Sequence, residues 1–127
     1  MSIKSPLGRV LGHGSAKQGS SHWRIERMTA IALLPLTVWF VWSLLALPSF
    51  DYDDVVVWMA TPWSAVLLVV FVLAVTVHSM LGMQVFFEDY LHGPSIKCIT
   101  LLLNNFVHVL TAAAGVFAVL KIAVGGN

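Results

Sequence analysis

Charged residues are scarce in this sequence: they make up 10% of its 127 residues, whereas soluble domains carry about 25%. Hydrophobic residues make up 58% of the chain, and the mean hydropathy is +0.86. A water-soluble domain of this length cannot bury so much apolar surface, since small domains bury only about 60–70% of the surface that the unfolded chain exposes. The composition therefore excludes an ordinary soluble enzyme, a disordered tail and a nucleic-acid binder.

Cysteine is nearly absent as well. Because Cys98 is the single cysteine, the chain forms no intramolecular disulfide and cannot by itself build a Cys-rich zinc or iron–sulfur site. No flavin-binding motif is present. Candidate functional residues therefore have to be sought among the other polar side chains.

Long apolar runs are what the sequence has instead. A bilayer core about 30 Å thick needs about 20 helical residues, and three segments are long enough: residues 29–49, 62–87 and 99–124. The only charge in them is Lys121, near the end of the third, where a long side chain can reach the interface. Since lipid offers no partner to unpaired backbone groups, such runs are predicted to be helices. We expect an all-α membrane protein whose transmembrane domain, residues 29–124, has three transmembrane helices.

The basic residues indicate the orientation of these helices. Five of the seven lysines and arginines precede the first span: Lys4, Arg9, Lys17, Arg24 and Arg27. The positive-inside rule places them and Lys97 in the cytoplasm, opposite the acidic segment 50–54. The sequence thus predicts an N-in/C-out topology with a cytoplasmic arm at residues 1–28. We expect no cleaved secretory signal, because the first apolar run starts near residue 29.

Aromatic residues and one proline add two expectations about the spans. Tryptophans concentrate at membrane–water interfaces, and four of them flank the predicted outer interface: Trp39, Trp42, Trp58 and Trp63. We therefore expect an aromatic belt there. Pro35 lies inside the first span, where membrane helices tolerate proline, and it is expected to kink the helix.

Two histidines lie at similar depth in the predicted spans. His78 and His108 are each about nine residues, or ~14 Å, from the inner end of their helix. A histidine in lipid is compatible with haem or metal ligation, a proton relay, or a hydrogen-bonded packing role. Gly82, one turn after His78, leaves the gap that a flat macrocycle needs. Asp89, about three turns after His78, returns to the same face at the inner edge.

Further polar residues lie at the inner edge of the spans. Arg27 opens the first span, and a guanidinium suits anions such as haem propionates in addition to its role in orientation. His22, in the same arm, is a further candidate for that role. Tyr90 follows Asp89 directly. A tyrosine hydroxyl can donate to a quinone carbonyl and a carboxylate can supply protons, although tyrosine is also common at interfaces.

Residues 78–90, HSMLGMQVFFEDY, resemble the hydrophobic membrane-anchor subunits of succinate dehydrogenase, respiratory complex II. That family has a histidine, a glycine four residues later and an Asp-Tyr pair at the end of the second of three transmembrane helices. An arginine precedes its first helix, as Arg27 precedes Thr29-Ala30-Ile31 here. Residues 15–19 and 22–23 are similar to the alphaproteobacterial form of the arm. In topology, the resemblance extends from about residue 5 to residue 124.

The resemblance implies a partner and cofactors. The three helices would pack against a similar three-helix partner, the cytochrome b556-type subunit of such complexes, and the two chains would share one haem b. They would dock the iron–sulfur and flavoprotein subunits at the bacterial inner membrane. Electrons from succinate would reach ubiquinone there, although this chain would not itself oxidise succinate.

The resemblance also implies roles for five residues. His78 would be one axial ligand of the haem iron. Tyr90 would hydrogen-bond a ubiquinone carbonyl, and Asp89 would support that site. Arg27 would lie near the haem propionates and the quinone, with His22 as a further propionate contact.

Other interpretations stay open at this point. The chain is also compatible with a cytochrome b anchor of a fumarate reductase or another membrane dehydrogenase. A small transporter subunit would use Asn104, Asn105 and His108 as a polar path. His108 is not part of the family pattern, and both a bis-histidine haem with His78 and a polar packing role are compatible with its depth.

Overall fold

The computed structural model describes residues 16–125, with side chains from Ser21 onward, and these residues form four helices and no strand. The helices are α1 (Ala16–Leu45), α2 (Tyr52–Ala60), α3 (Pro62–Tyr90) and α4 (Pro94–Gly125). Three of them, α1, α3 and α4, are long and apolar enough to cross a membrane. The predicted all-α fold with three spans is confirmed.

The first helix extends beyond the predicted span into the predicted cytoplasmic arm. It begins at Ala16, and its long apolar part is Ser21–Leu45. Residues 16–28 include alanine, lysine, glutamine, arginine and glutamate, which are good helix formers. The helix runs through Pro35 without interruption. The first part of the arm, residues 1–15, lies outside the described residues.

The loop between the first two spans, predicted to lie outside, contains a short helix that was not predicted from the sequence. The hydroxyl of Ser49 donates to Asp54 Oδ2 at 2.7 Å and accepts from the backbone N–H of Asp51 at 3.1 Å. This polar turn leads into α2, whose first turn carries Asp53 and Asp54, and negative charge there suits the helix dipole. Thr61 alone separates α2 from α3. With 9 residues, α2 is too short to cross the bilayer.

The third helix is the centre of the bundle. It contacts α1, α2 and α4, whereas α1 and α4 have no close backbone contact within residues 16–125. A cluster of the buried residues Ala65, Leu68 and Val119 lies near the start of α3 and the end of α4. Among the described side chains of α1, only Leu36 is buried. The other described side chains of α1 are half-buried or exposed.

The four outer tryptophans divide into two groups. Trp42 and Trp63 are 74% and 71% exposed, as an aromatic belt requires. Trp39 and Trp58 instead stack on each other, with ring centroids 6.2 Å apart, and pack against the core. The reason is α2, which folds Trp58 back over the end of α1. Aromatic pairs of this kind stabilise the outer end of the bundle.

A close approach of α3 and α4 occurs at Gly115. A Cβ added there would lie 2.8 Å from Val72 Cγ1. Valine has one strongly preferred side-chain rotamer in a helix, so the two helices would have to separate. We expect Gly115→Ala to destabilise the protein by about 1–3 kcal/mol, the usual cost of overpacking, as measured by unfolding in detergent micelles.

Gly125→Ala is the matched control, because no atom lies within 4 Å of a Cβ at that position. We expect this control to unfold like the unsubstituted protein. Equal stability of the two variants would show that the helices do not meet closely at Gly115.

Cysteine labelling tests the predicted orientation. Cys98 lies near the start of α4 and is exposed, and Asp53 is exposed in α2. We expect a membrane-impermeant maleimide, added to intact spheroplasts, to label the double variant Asp53→Cys/Cys98→Ser. The unsubstituted protein, with Cys98 alone, should react only after the membrane is permeabilised. The reverse pattern would overturn the N-in/C-out topology.

Candidate functional site

His78 lies where α3 faces α1. Its Nδ1 is 3.2 Å from the hydroxyl oxygen of Thr29. That oxygen is also 2.9 Å from the backbone carbonyl oxygens of Ile25 and Glu26. Threonine in a helix commonly donates its single hydroxyl hydrogen to such carbonyls. The oxygen of Thr29 therefore accepts from His78, which places the imidazole proton on Nδ1.

In the neutral imidazole with its proton on Nδ1, the other ring nitrogen of His78 carries the lone pair. Within the described part of the chain, Nε2 has no hydrogen-bond partner, and no buried side-chain nitrogen or oxygen lacks one. Because His78 is half-buried, Nε2 must reach the surface of the chain. A neutral imidazole with a free, accessible Nε2 has the form that binds a metal.

The surroundings of His78 suit a planar metal-carrying group better than a bare ion. No group of three or more His, Cys, Asp and Glu that could hold a metal ion occurs among the described residues. A haem supplies four ring nitrogens and needs only axial ligands from protein. Gly82, one turn after His78, is exposed, and a Cβ there would meet nothing within 4 Å. The helix therefore leaves open space beside the imidazole.

His108 lies on a different side of α3 from the contact with Thr29. Its Nε2 is 3.2 Å from the hydroxyl of Ser79, and its Nδ1 is 2.8 Å from the backbone oxygen of Asn104. The carbonyl can only accept, so Nδ1 carries the proton and Nε2 accepts from Ser79. Both ring nitrogens of His108 are thus occupied. The contacts favour the polar packing role over ligation.

A second polar contact joins α3 and α4 beside His108. The buried amide of Asn104 donates from Nδ2 to the backbone oxygen of Met80 at 3.1 Å. Together with the bond between His108 and Ser79, it ties the inner halves of α3 and α4. Such bonds between membrane helices contribute about 0.6 kcal/mol each on average.

The inner end of α1 carries Arg27 and His22 on different faces. Arg27 lies over the ring of Trp23, with its Cζ 5.7 Å from the ring centroid. It is exposed, so the guanidinium is accessible to an anion. His22, also exposed, precedes Thr29 by seven residues, and the two share a helix face to within about 20°. Arg27 lies about 200° around the helix from Thr29.

Tyr90 and Asp89 end α3 at the surface. The ring of Tyr90 stacks on Phe86, with centroids 4.6 Å apart. The phenol side chain is 69% exposed, and its hydroxyl has no hydrogen-bond partner within residues 16–125. Asp89 is exposed too. The hydroxyl and the carboxylate are therefore both accessible to a ligand that approaches the inner edge.

Lys97 caps the C-terminal end of α3, next to Asp89 and Tyr90. Its ammonium donates to the backbone oxygen of Glu88 at 2.9 Å. His92 Nδ1 donates to the backbone oxygen of Tyr90 at 3.1 Å. The two bonds satisfy carbonyls that the helix end leaves unpaired, and positive charge there suits the helix dipole. The loop is thereby held against the last turn of α3.

The five predicted site residues are not joined by side-chain bonds within the described residues. No hydrogen bond, ion pair or ring contact in the described part of the chain joins His78, His22, Arg27, Asp89 and Tyr90 to one another. The residue that the structure does bring to His78 is Thr29, for which no role was predicted from the sequence. The sequence did contain one signal that could have pointed to Thr29, because it is a polar residue at the start of an otherwise apolar span.

Comparisons with known proteins show which family the chain belongs to. A family model described as the succinate dehydrogenase/fumarate reductase transmembrane subunit matches residues 1–120. The chain belongs to this family. The predicted resemblance is confirmed, and a small transporter protein is no longer a competing interpretation.

Three relatives of the chain carry the same name. The succinate dehydrogenase hydrophobic membrane anchor subunit of Rickettsia bellii is 33% identical over 117 residues, which cover 92% of this chain and 94% of the relative. That of Rickettsia conorii is 30% identical over 91% of this chain and 93% of its own length. That of Paracoccus denitrificans is 26% identical over 95% of this chain and 93% of its own.

Proposed function

We propose that this chain is the membrane-anchor subunit of a succinate:quinone oxidoreductase, in which it helps to bind haem b and ubiquinone. The single observation that carries the cofactor part is the hydrogen-bonded Nδ1 of His78, which leaves Nε2 free and accessible beside Gly82. The relatives named above are all subunits of succinate dehydrogenase. This favours succinate dehydrogenase over fumarate reductase as the parent complex.

The residues present fit a haem. His78 Nε2 would bind the iron, and the open surface at Gly82 would admit the edge of the porphyrin. Arg27 would pair with a propionate, since its guanidinium is exposed and held over Trp23. His22 is exposed on the face of α1 that carries Thr29 and is a second candidate for a propionate. When bound, haem b supplies a one-electron carrier.

The second axial ligand would come from a partner protein. His108 does not serve within this chain, because its two ring nitrogens bind Ser79 and the backbone of Asn104. Among the described side chains of α1, Leu36 alone is buried and more than half are exposed, so a second helical protein has room to pack there. A cytochrome b556-type partner with its own histidine fits this need.

The quinone site would lie at the inner edge, at the end of α3. Reduction of a quinone takes up two electrons and two protons, so its carbonyls need hydrogen-bond donors and access to water. The hydroxyl of Tyr90 is an accessible donor, and its ring is held by Phe86. Asp89, exposed beside it, would relay protons from water. Arg27 would contribute positive charge toward the quinone head group.

Membership of the family also bears on location and partners. Three helices are long enough to span the membrane, and the Rickettsia and Paracoccus relatives agree with the predicted bacterial inner membrane. A membrane anchor of succinate dehydrogenase works with the flavoprotein and iron–sulfur subunits of that complex. They would dock on the basic, cytoplasmic side and deliver electrons there.

Replacing His78 tests the haem assignment. We expect His78→Ala to lower the haem content of the purified complex or to change its reduced-minus-oxidised spectrum, because an axial ligand is lost. His108→Ala is the matched control, and it should keep haem content and spectrum. Unchanged haem in the His78 variant would remove this residue as a ligand. Loss of haem only in the His108 variant would reverse the assignment.

Replacing Tyr90 tests the quinone site. We expect Tyr90→Phe to lower succinate:ubiquinone reductase turnover about tenfold, the equivalent of ~1.4 kcal/mol for one lost hydrogen bond. Succinate oxidation with an artificial acceptor should survive, since that reaction does not use the hydroxyl. Tyr52→Phe, at an exposed tyrosine of α2, should leave both rates unchanged. Equal quinone reductase rates in the Tyr90 variant and the unsubstituted complex would contradict the assignment.

A further inference from the structure

We propose that Thr29 is a positioning residue, which fixes the tautomer and the ring orientation of His78 and so sets the reduction potential of the haem bound there. This inference rests on the proposed function, because it concerns the same imidazole. It goes beyond that function in assigning a specific electronic role to Thr29, the first residue of the span predicted from the sequence.

The direction of the hydrogen bond follows from the contacts of the hydroxyl. Thr29 Oγ1 is closer to the carbonyl oxygens of Ile25 and Glu26, at 2.9 Å, than to His78 Nδ1, at 3.2 Å. Those carbonyls can only accept, and the hydroxyl has one hydrogen. The opposite tautomer would put an N–H at Nε2, where no acceptor is found in the described residues. With the proton of the neutral imidazole assigned to Nδ1 in this way, Nε2 carries the lone pair.

The position of the acceptor is fixed by α1 itself. Threonine is branched at Cβ and has few side-chain rotamers in a helix, and here its hydroxyl is held by the backbone one turn earlier. The ring of His78, which belongs to α3, is therefore oriented by the neighbouring helix. The packing of α1 on α3 and the direction of the Nε2 lone pair are coupled through this one contact.

An acceptor at Nδ1–H changes the donor strength of the other ring nitrogen. Partial transfer of the proton toward Thr29 increases electron density at Nε2, as outer contacts of metal-bound histidines commonly do. A more basic ligand stabilises ferric iron more than ferrous iron, so the hydrogen bond lowers the reduction potential. Removal of the hydroxyl should raise the potential, and loss of such contacts weakens metal binding by about 10–100-fold.

The test uses the assembled complex and three substitutions of threonine. Thr29→Val removes the hydroxyl and keeps the shape, whereas Thr29→Ser keeps the hydroxyl. Thr111→Val is the matched control, because among the described residues the Thr111 hydroxyl bonds only to the backbone oxygen of Val107 in its own helix, at 2.9 Å. Haem content, the midpoint potential in a redox titration and the electron paramagnetic resonance of the ferric haem are the readouts.

We expect Thr29→Val to shift the haem potential to a more positive value, and Thr29→Ser and Thr111→Val to match the unsubstituted complex. Where Thr29→Val does not assemble, Thr29→Ala removes the same hydroxyl without adding a methyl group and is read in the same way. Loss of haem from both hydroxyl-free variants, with full haem in the other two, also supports the proposal.

Three results would overturn the role of Thr29. One is an unchanged potential and resonance spectrum in the hydroxyl-free variants, even with lowered thermal stability, which would indicate a structural role only. Another is a serine variant that behaves like the valine variant. The third is an equal potential shift in Thr111→Val. If His78→Ala retains its haem spectrum, the proposed haem site itself fails; if His78→Ala loses haem and Thr29→Val is unaltered, only this inference fails.

Discussion

A polar side chain in the apolar part of a membrane needs a partner inside the protein, and this requirement determines the contacts of both histidines in the spans. His78 meets it through Thr29 on α1, and His108 meets it through Ser79 on α3 and its own helix backbone. Each histidine thus links α3 to a different neighbour. The two histidines differ in their ring nitrogens. Among the described residues, Nε2 of His78 has no hydrogen-bond partner, whereas both ring nitrogens of His108 have one.

The two ends of the bundle are built differently. One end holds the buried cluster of Ala65, Leu68 and Val119, closed by the stacked rings of Trp39 and Trp58. Toward the opposite end, where α3 ends at Tyr90, single polar contacts such as those of His78 and His108 join the helices. Such an arrangement packs the helices together at one end, while Asp89 and Tyr90 stay exposed at the other.

Much of the fold was predictable because its causes are local in sequence. Uncharged runs of about 20 residues are a direct consequence of bilayer thickness, so the three spans followed from composition alone. The short helix α2 was missed because a short apolar stretch next to aspartates has no membrane signature. Its formation depends on the turn at Ser49 and Asp54. The packing of Trp39 and Trp58 against each other depends on the same turn, and it could not be predicted from the sequence either.

The candidate site was predictable only in part. Counting residues along each helix gives the depth of His78 and His108, but depth does not say which neighbour a side chain meets. That depends on the rotation of each helix about its axis, which packing decides. For the same reason, the sequence could name Arg27 and His22 as candidates, but it could not show which of them shares a helix face with a residue that contacts His78. In the structure that residue is Thr29, and His22 shares its face of α1.

The sequence by itself determined that this chain is a membrane protein with three spans, and that Gly82 follows His78 by one helical turn. Both conclusions depend only on the order of residues, through bilayer thickness, the hydropathy of each segment and the α-helical repeat. Only the tertiary structure decided that Thr29 accepts from His78 and that Ser79 and Asn104 occupy His108. These pairs join residues 49, 29 and 4 positions apart. The two longer links require the helices to pack side by side before either hydrogen bond can form.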